Sequence, residues 1–141
     1  MRGVDAQPGH GTRTAAQQAG DAAEAIVAGR LRESGWTILA RNVHAGRREL
    51  DLVAIDPGPP RTLVIVEVRW RGRRDYGLPE ETVGHRKRRY LHEAAFALLD
   101  GLPLPDGTTV PALPVRFDLV TVEPAGTTGN RPRIRHHRAA L

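Results

Sequence analysis

The chain shows two kinds of hydrophobic pattern, one with a helical period and one typical of strands. From Thr14 to Ser34, small and apolar residues recur every three or four positions, and Gly35 follows as a stop signal. The same period returns over residues 79–99, and Gly101 ends it. These two stretches therefore predict two amphipathic helices.

Four shorter runs, rich in Val, Ile and Leu, have the composition of β-strands. They cover residues 36–43, 49–56, 62–70 and 114–122, and turns containing Gly or Pro separate the first three. The element order is α-β-β-β-α-β. It predicts an α/β fold in which a mixed sheet is flanked by helices.

The two ends of the chain have little apolar character. Residues 1–13 are small and polar, and residues 124–141 carry four Arg and two His with almost nothing apolar. Both segments are predicted to be flexible, the second as a basic tail. Between them, residues 14–123 are expected to form a single domain, which suits a chain of 141 residues.

Several classes of protein are excluded by what the sequence lacks. Without cysteine there are no disulfides, no thiol nucleophile and no zinc site built on thiolates. No apolar run approaches the ~18 residues of a membrane span, and the first residues lack the apolar region of a secretory signal. We therefore expect a cytoplasmic protein without a membrane partner, whose chemistry uses oxygen and nitrogen groups.

The charge balance points to a polyanionic partner such as nucleic acid. Basic residues outnumber acidic ones by 21 to 16, and the sequence pI is about 10.9. All but one of these 21 are arginine, because Lys87 is the only lysine, and a compositional bias of the genome explains that skew without phosphate binding. Eight basic residues lie between Arg69 and Arg89, which predicts either a groove for a phosphate backbone or a solvated charged face. The predicted phosphate ligands are Arg71, Arg73, Arg74, Arg86, Lys87 and Arg88.

Two acidic residues are expected to meet in a hairpin. The turn after Asp56 is so short that the second and third strands should pair antiparallel, with Asp56 opposite Thr62. The same register places Asp51 opposite Glu67. Because alternate residues share a face, it puts four charged side chains on one face and three valines on the other: Glu49, Asp51, Glu67 and Arg69 against Val64, Val66 and Val68.

Two carboxylates directly across a ladder repel each other unless something positive lies between them. Mg²⁺ takes oxygen ligands and usually keeps several waters, so Asp51, Glu67 and the carbonyl of Val68 would suit its coordination. Spacing alone leaves another interpretation open. Asp51 and Glu67 could lie on a solvated sheet face, with Glu49 and Arg69 as an ordinary cross-strand ion pair.

A family resemblance covers residues 20–123. The strings GDAAEAIVAGRL, GWTILARN, RRELDLVAID, LVIVEVRWR, GLPEETV, HRKRRYLHEAA and VRFDLVTV, in this order, resemble the YraN-like family of small bacterial proteins. That family is related to the PD-(D/E)XK nuclease superfamily and to Holliday junction resolvases. The resemblance implies their α-β-β-β-α-β core and an activity on DNA, including branched DNA, with Mg²⁺ or Mn²⁺ as cofactor. It also suggests a homodimer, by analogy alone.

The resemblance assigns roles to individual residues. Asp51 and Glu67 match the two metal-binding acids, and Glu24 matches a helix acid that often completes the site. Glu24 has a structural alternative, because Asp21 and Glu24 have the spacing of a capping box.

Arg69 departs from the family pattern, since it stands where the family usually has the lysine of a Glu-Val-Lys string. The family also usually has Gly-Glu-Ile-Asp where this chain has Arg-Glu-Leu-Asp at residues 48–51. An arginine cannot act as a base, because its guanidinium stays protonated in proteins. It can still hold a phosphate through two donors and stabilise developing charge.

Three hypotheses of different classes follow. The first is a metal-dependent endonuclease acting on structured or branched DNA, with Asp51, Glu67, Arg69 and Glu24 in the catalytic site. The second is a nucleic-acid-binding module that keeps the fold and has lost turnover. The third is a protein–protein adaptor, which would be favoured if neither DNA nor RNA bound at low salt.

Overall fold

The computed structural model of the chain describes residues 14–46, 48–71, 84–123, 125 and 131–141. It contains the helices α1 (Ala15–Glu33) and α2 (His85–Leu99). The strands are β1 (Thr37–Ala45), β2 (Arg48–Asp56), β3 (Thr62–Trp70), β4 (Val115–Glu123) and β5 (Arg133–His137). The predicted α-β-β-β-α-β order is confirmed, and one further strand follows it.

The start of α1 is set by its cap. The Thr14 hydroxyl accepts the Gln17 N–H at 3.0 Å, and the Gln17 side chain accepts the Thr14 N–H at 2.8 Å. This is a complete capping box. It lies before Asp21 and Glu24, so the structural alternative for Glu24 as part of a capping box is excluded.

The sheet has the order β1-β2-β3-β4-β5 and mixed direction. All neighbouring pairs are antiparallel except β3 and β4, which run parallel. Parallel neighbours need a long crossover, and α2 lies in that connection. The first part of the predicted second helix, residues 79–83, lies outside the described residues. Within the described ranges, neither helix is long and apolar enough to cross a membrane.

The predicted register of the β2–β3 hairpin is confirmed. Asp56 pairs with Thr62, and the ladder continues without a shift as far as the pair Leu52–Val66. The valine face is as expected, but the predicted common face of the four charged residues is not kept, because β2 changes face at Asp51. Val64 and Val66 belong to the apolar cluster that contains α1 residues, and Val68 packs at its border.

Each face of the sheet carries its own apolar core. One cluster joins α1 to the sheet through side chains such as Val27 and Leu52. The other joins α2 to the opposite face through side chains such as Leu91 and Ile65. The helices thus cover opposite faces, which is how a sheet that contains a parallel pair is usually buried.

The expected flexible tail at residues 124–141 is corrected by β5. Residues 133–137 pair antiparallel with β4, from Glu123–Arg133 to Leu119–His137. Ile134 packs against the α1 cluster. With one apolar residue in a strongly basic segment, the sequence shows no alternation of apolar and polar residues from which a strand could be predicted. The contacts that hold β5 include several polar ones.

A buried carboxylate forms the main polar contact of this strand. Asp118 is fully buried, and its Oδ2 lies 2.8 Å from His136 Nε2. Its Oδ1 accepts the Ala139 N–H at 2.9 Å and the Arg116 Nε–H at 2.8 Å. Burial raises the pKa of Asp118, but these hydrogen bonds outweigh it and lower the value to about 2.

Candidate active site

The predicted acidic pair lies where the β2–β3 ladder ends. The last paired residues are Leu52 and Val66. Immediately beyond them, the Asp51 Oδ2 accepts the Val68 N–H at 2.8 Å. The ladder therefore does not reach the predicted pair of Glu49 and Arg69. On the other side of β2, Glu49 pairs with His44 of β1.

The alternation of faces is interrupted beside Asp51. Leu50 and Leu52 are two residues apart, yet they belong to the cores on opposite faces of the sheet. In β1, Asn42 lies between the partners of these two leucines and has a φ of 52°. Asn tolerates this left-handed conformation better than most residues. β2 thus changes face at Asp51, and β1 does so at Asn42 beside it.

Asp51 and Glu67 interact directly, as predicted. Burial raises the pKa of Asp51 to about 9, and hydrogen bonding and repulsion from Glu67 add to the effect, while the Val68 N–H opposes it. Glu67 is itself only 6% exposed. Because of this raised pKa, Asp51 loses its proton near neutral pH only when a cation lies beside it. The pair is therefore built to receive positive charge.

Glu24 faces the same region from α1. It is 8% exposed, and its Oε1 is buried without a hydrogen-bond partner among the described residues. Burial raises the pKa of Glu24, the Arg41 guanidinium opposes this, and Asp21 and Glu49 raise it further. Glu24 also adds to the repulsion felt by Asp51. The structure thus brings the predicted helix acid toward the acidic pair.

An open cavity of about 540 Å³ is lined by Asp21, Arg41, Asn42 and Glu49, the same four residues that interact with Glu24. Arg41 enters it from β1, and its terminal NH₂ lies 3.5 Å from the Asp21 carbonyl. The Arg41 Nε–H is buried without a partner among the described residues. A guanidinium held in this way can donate to an incoming acceptor.

Lys87 approaches the acidic pair from the other helix. Its Nζ lies 3.1 Å from Glu67 Oε2, and the two side chains are 29% and 7% exposed. The sequence predicted Lys87 as a phosphate ligand at the start of the second helix. In the structure Lys87 contacts Glu67, a contact that the sequence did not predict.

The donors available for a metal ion are few. Within the described ranges, no three His, Cys, Asp or Glu side chains form a metal-binding cluster. Two carboxylates, those of Asp51 and Glu67, are adjacent. The amide of Val68 is used by Asp51, and its carbonyl remains a predicted third ligand.

Comparison with known proteins now decides the family. A family model described as "Uncharacterised protein family UPF0102" matches residues 23–122. The chain belongs to this family. Its matched region contains Glu24, Asp51, Glu67 and Lys87, and it corresponds to the YraN-like resemblance noted in the sequence.

Individual UPF0102 proteins are similar over most of their lengths. One from Symbiobacterium thermophilum is 43% identical over 108 residues, which is 77% of this chain and 84% of that protein. One from Bifidobacterium longum subsp. infantis is 40% identical over 106 residues, covering 75% and 81%. One from Pseudomonas savastanoi pv. phaseolicola is 37% identical over 129 residues, covering 92% and 97%.

The other predicted site residues lie at the end of β3, at the start of α2, or outside the described part of this UPF0102 chain. Arg69 is half-buried near the end of β3, two residues after Glu67, and the Arg71 N–H bonds to the Val122 carbonyl at 2.8 Å. Arg86 is exposed and Arg88 half-buried in the first turns of α2. Arg73 and Arg74 lie outside the described residues, so their predicted contact with phosphate stays a prediction.

Sequence reasoning missed Arg41 and Asn42. Both lie in a strand that was identified from its apolar residues, so their polar side chains carried no signal of their own. The available signal was the string Arg-Asn inside an apolar run, where a half-buried polar pair needs partners.

Proposed function

We propose that the protein is a divalent-metal-dependent endonuclease-like protein acting on structured or branched DNA. The proposal is carried by the contact between Asp51 and the buried Glu67, because burial and this neighbour raise the pKa of Asp51 to about 9 and a bound cation would relieve the repulsion. The YraN-like resemblance to PD-(D/E)XK nucleases supports the same assignment of these two residues. A cytoplasmic location and a homodimer belong to this proposal.

Mg²⁺ or Mn²⁺ would be held by the carboxylates of Asp51 and Glu67 and by the Val68 carbonyl. Oxygen donors of this kind match the preference of hard cations. The buried Oε1 of Glu24 is a further acceptor beside the pair. A bound ion of this kind supplies Lewis-acid stabilisation of the phosphate and helps to activate water.

The chain's own residues have distinct roles in this proposal. Arg69 would bind the scissile phosphate and stabilise the charge that develops on it. Arg71, Arg73, Arg74, Arg86 and Arg88 would contact the neighbouring backbone phosphates without reading the sequence. The carboxylates would orient the reacting groups.

A second candidate function is a nucleic-acid-binding module without turnover. Arg69 favours it, because an arginine at the position of the family lysine cannot exchange a proton near neutral pH. The two candidates agree on binding and differ only in whether the phosphodiester bond is cut.

The test is cleavage of defined DNA by the purified protein. A four-way junction and a linear duplex of matched length are incubated with Mg²⁺, with Mn²⁺ and with a chelator. We expect metal-dependent cleavage of the junction, reduced at least ~10²-fold by Asp51→Ala and unchanged by Asp100→Ala, an exposed acid at the end of α2.

The other outcomes separate the candidates. Junction binding that persists without any cleavage would establish the binding module. Cleavage that survives in Asp51→Ala would show that a contaminating nuclease or another site is responsible. An absence of DNA and RNA binding at low salt would leave the adaptor hypothesis and contradict both candidates.

A further inference from the structure

Lys87 is unusual in this chain for both its identity and its position. It is the only lysine among 21 basic residues. Its neighbours on α2, Arg86, Arg88 and Arg89, are all arginines. Compositional bias accounts for the arginines, but it does not explain why the single lysine contacts the buried Glu67.

The contacts of the acidic pair are arranged asymmetrically. Asp51 accepts a neutral backbone amide, from Val68, whereas Glu67 receives a full positive charge from Lys87. The Lys87 ammonium is 3.1 Å from Glu67 Oε2, a distance at which it both donates a hydrogen bond and neutralises the carboxylate. The protein therefore provides its own cation at one of the two acids.

Lysine and arginine differ in ways that matter at this position. A lysine ammonium is a compact point charge on a flexible stem, while a guanidinium is planar and tends to form fixed paired bonds with a carboxylate. The Lys87 side chain is 29% exposed, so its head has a route to solvent. It can leave Glu67 without opening the core.

We propose that Lys87 is a resident cation of the acidic site, which occupies Glu67 in the absence of metal and competes with a divalent ion for it. The inference rests on the proposed function, because it takes Asp51 and Glu67 as the metal ligands. Once displaced, the ammonium lies at the start of α2 among Arg86 and Arg88. There it becomes available to the phosphate backbone, so metal and nucleic acid binding support each other.

The proposal predicts how metal affinity depends on Lys87. Removing an internal competitor should strengthen metal binding. If the ammonium leaves Glu67 free in about one tenth of the molecules, the native protein binds the ion about tenfold more weakly than a variant without it. We expect Lys87→Met to bind Mn²⁺ about tenfold more tightly than the native protein, as measured by calorimetry without DNA. Arg89→Met removes the same charge from an exposed position of the same helix and should change the affinity by less than about twofold.

A second measurement follows the ammonium itself in the native protein. Because Lys87 is the only lysine, selective labelling of lysine gives one side-chain NMR signal. Addition of Mg²⁺ should shift this signal with the midpoint of metal binding. In Asp51→Asn, which lacks one of the two ligands, the shift should require much higher Mg²⁺.

The outcomes distinguish this inference from the proposed function. If the native protein binds Mn²⁺ and Lys87→Met binds it equally or more weakly, the resident-cation proposal is wrong and the metal site stands. A Lys87 signal that does not move at saturating Mg²⁺ leads to the same conclusion. If neither the native protein nor Lys87→Met binds Mn²⁺ or Mg²⁺, both proposals are wrong.

Discussion

The environment of Asp51 makes the ionised form of this residue unfavourable in the folded protein. Its pKa is raised to about 9 by burial and by Glu67, whereas a carboxyl group in an unfolded chain titrates near 4. Between these values the folded state keeps a proton that the unfolded state has released. The free energy of unfolding therefore falls as pH rises through this range. Residues arranged for function commonly have such a cost.

Replacing this acid by its amide should stabilise the metal-free protein. Asn at position 51 can still accept the Val68 N–H, and it has no proton to lose. In urea denaturation with a chelator, we expect Asp51→Asn to raise the free energy of unfolding by about 1 kcal/mol or more near pH 8, and by close to nothing near pH 4. Asp100→Asn, in an exposed position, should show no such trend. A gain that does not depend on pH would contradict the assigned cause.

At the residue scale, the sequence could predict contacts within one hairpin but not between distant elements. The proximity of Asp51 and Glu67 follows from a short turn and the two-residue period of strands. Their side chains do interact, although the paired ladder ends one residue before them. Lys87 and Glu67 are brought together by the docking of α2, which no local period encodes. The roles of these residues in metal binding and catalysis remain predictions.

The strand β5 depends on polar contacts more than its neighbours do. The carboxylate of Asp118 joins Arg116 of β4 to His136 of β5 and to the backbone of Ala139. Arg116 also donates to Asp56 at 3.0 Å, which extends the contact to the end of β2. An acid this deeply buried is tolerated only with all these partners present.

Removing this charge should be strongly destabilising. Asp118→Asn leaves Arg116 with one carboxylate fewer in a buried setting, and breaking such a pair costs about 3 kcal/mol or more. Urea denaturation near pH 7 measures the loss, with Asp100→Asn as an exposed control that should change the free energy of unfolding by less than about 0.5 kcal/mol. A loss as small as that of the control would show that β5 is held by packing alone.

The same network predicts sensitivity to acid. The pKa of Asp118 is about 2 when folded and near 4 when unfolded, so its contribution is complete above about pH 4 and is lost as pH falls toward 2. The difference in stability between the native protein and Asp118→Asn should shrink over this interval. Circular dichroism during acid titration of both proteins follows it. A difference that stayed constant down to about pH 2 would show that Asp118 is not the group that titrates.

At the element scale, prediction succeeded where an apolar period was present. The two helices and the first four strands follow from such periods, and their order is confirmed. The period of β5 is hidden because Ile134 is its only apolar residue, while its neighbours are arginines and histidines. Strand pairing that depends on a buried charge is invisible to hydrophobic pattern analysis.

Across the whole molecule, the net charge of +5 should make DNA binding depend strongly on salt. If the basic residues of the start of α2 contact phosphates, log K falls with log salt concentration by roughly 0.9 for each phosphate neutralised on duplex DNA. Replacing Arg86 by Gln should reduce this slope by about one such unit and weaken binding to unrelated sequences equally. Fluorescence anisotropy at several salt concentrations measures both effects. An unchanged slope would assign binding to another surface, such as the exposed arginines of β5.

The dependence of Asp118 on the last strand also affects how the fold is completed during synthesis. His136 of β5 and Ala139, which follows β5, complete the hydrogen bonds of this carboxylate and leave the ribosome after every other strand of the described sheet. Until they emerge, Asp118 must stay hydrated, and β4 has an open edge where β5 will pair. A nascent chain that stops before Arg133 is therefore expected to present an unpaired strand to other chains, a condition that favours aggregation.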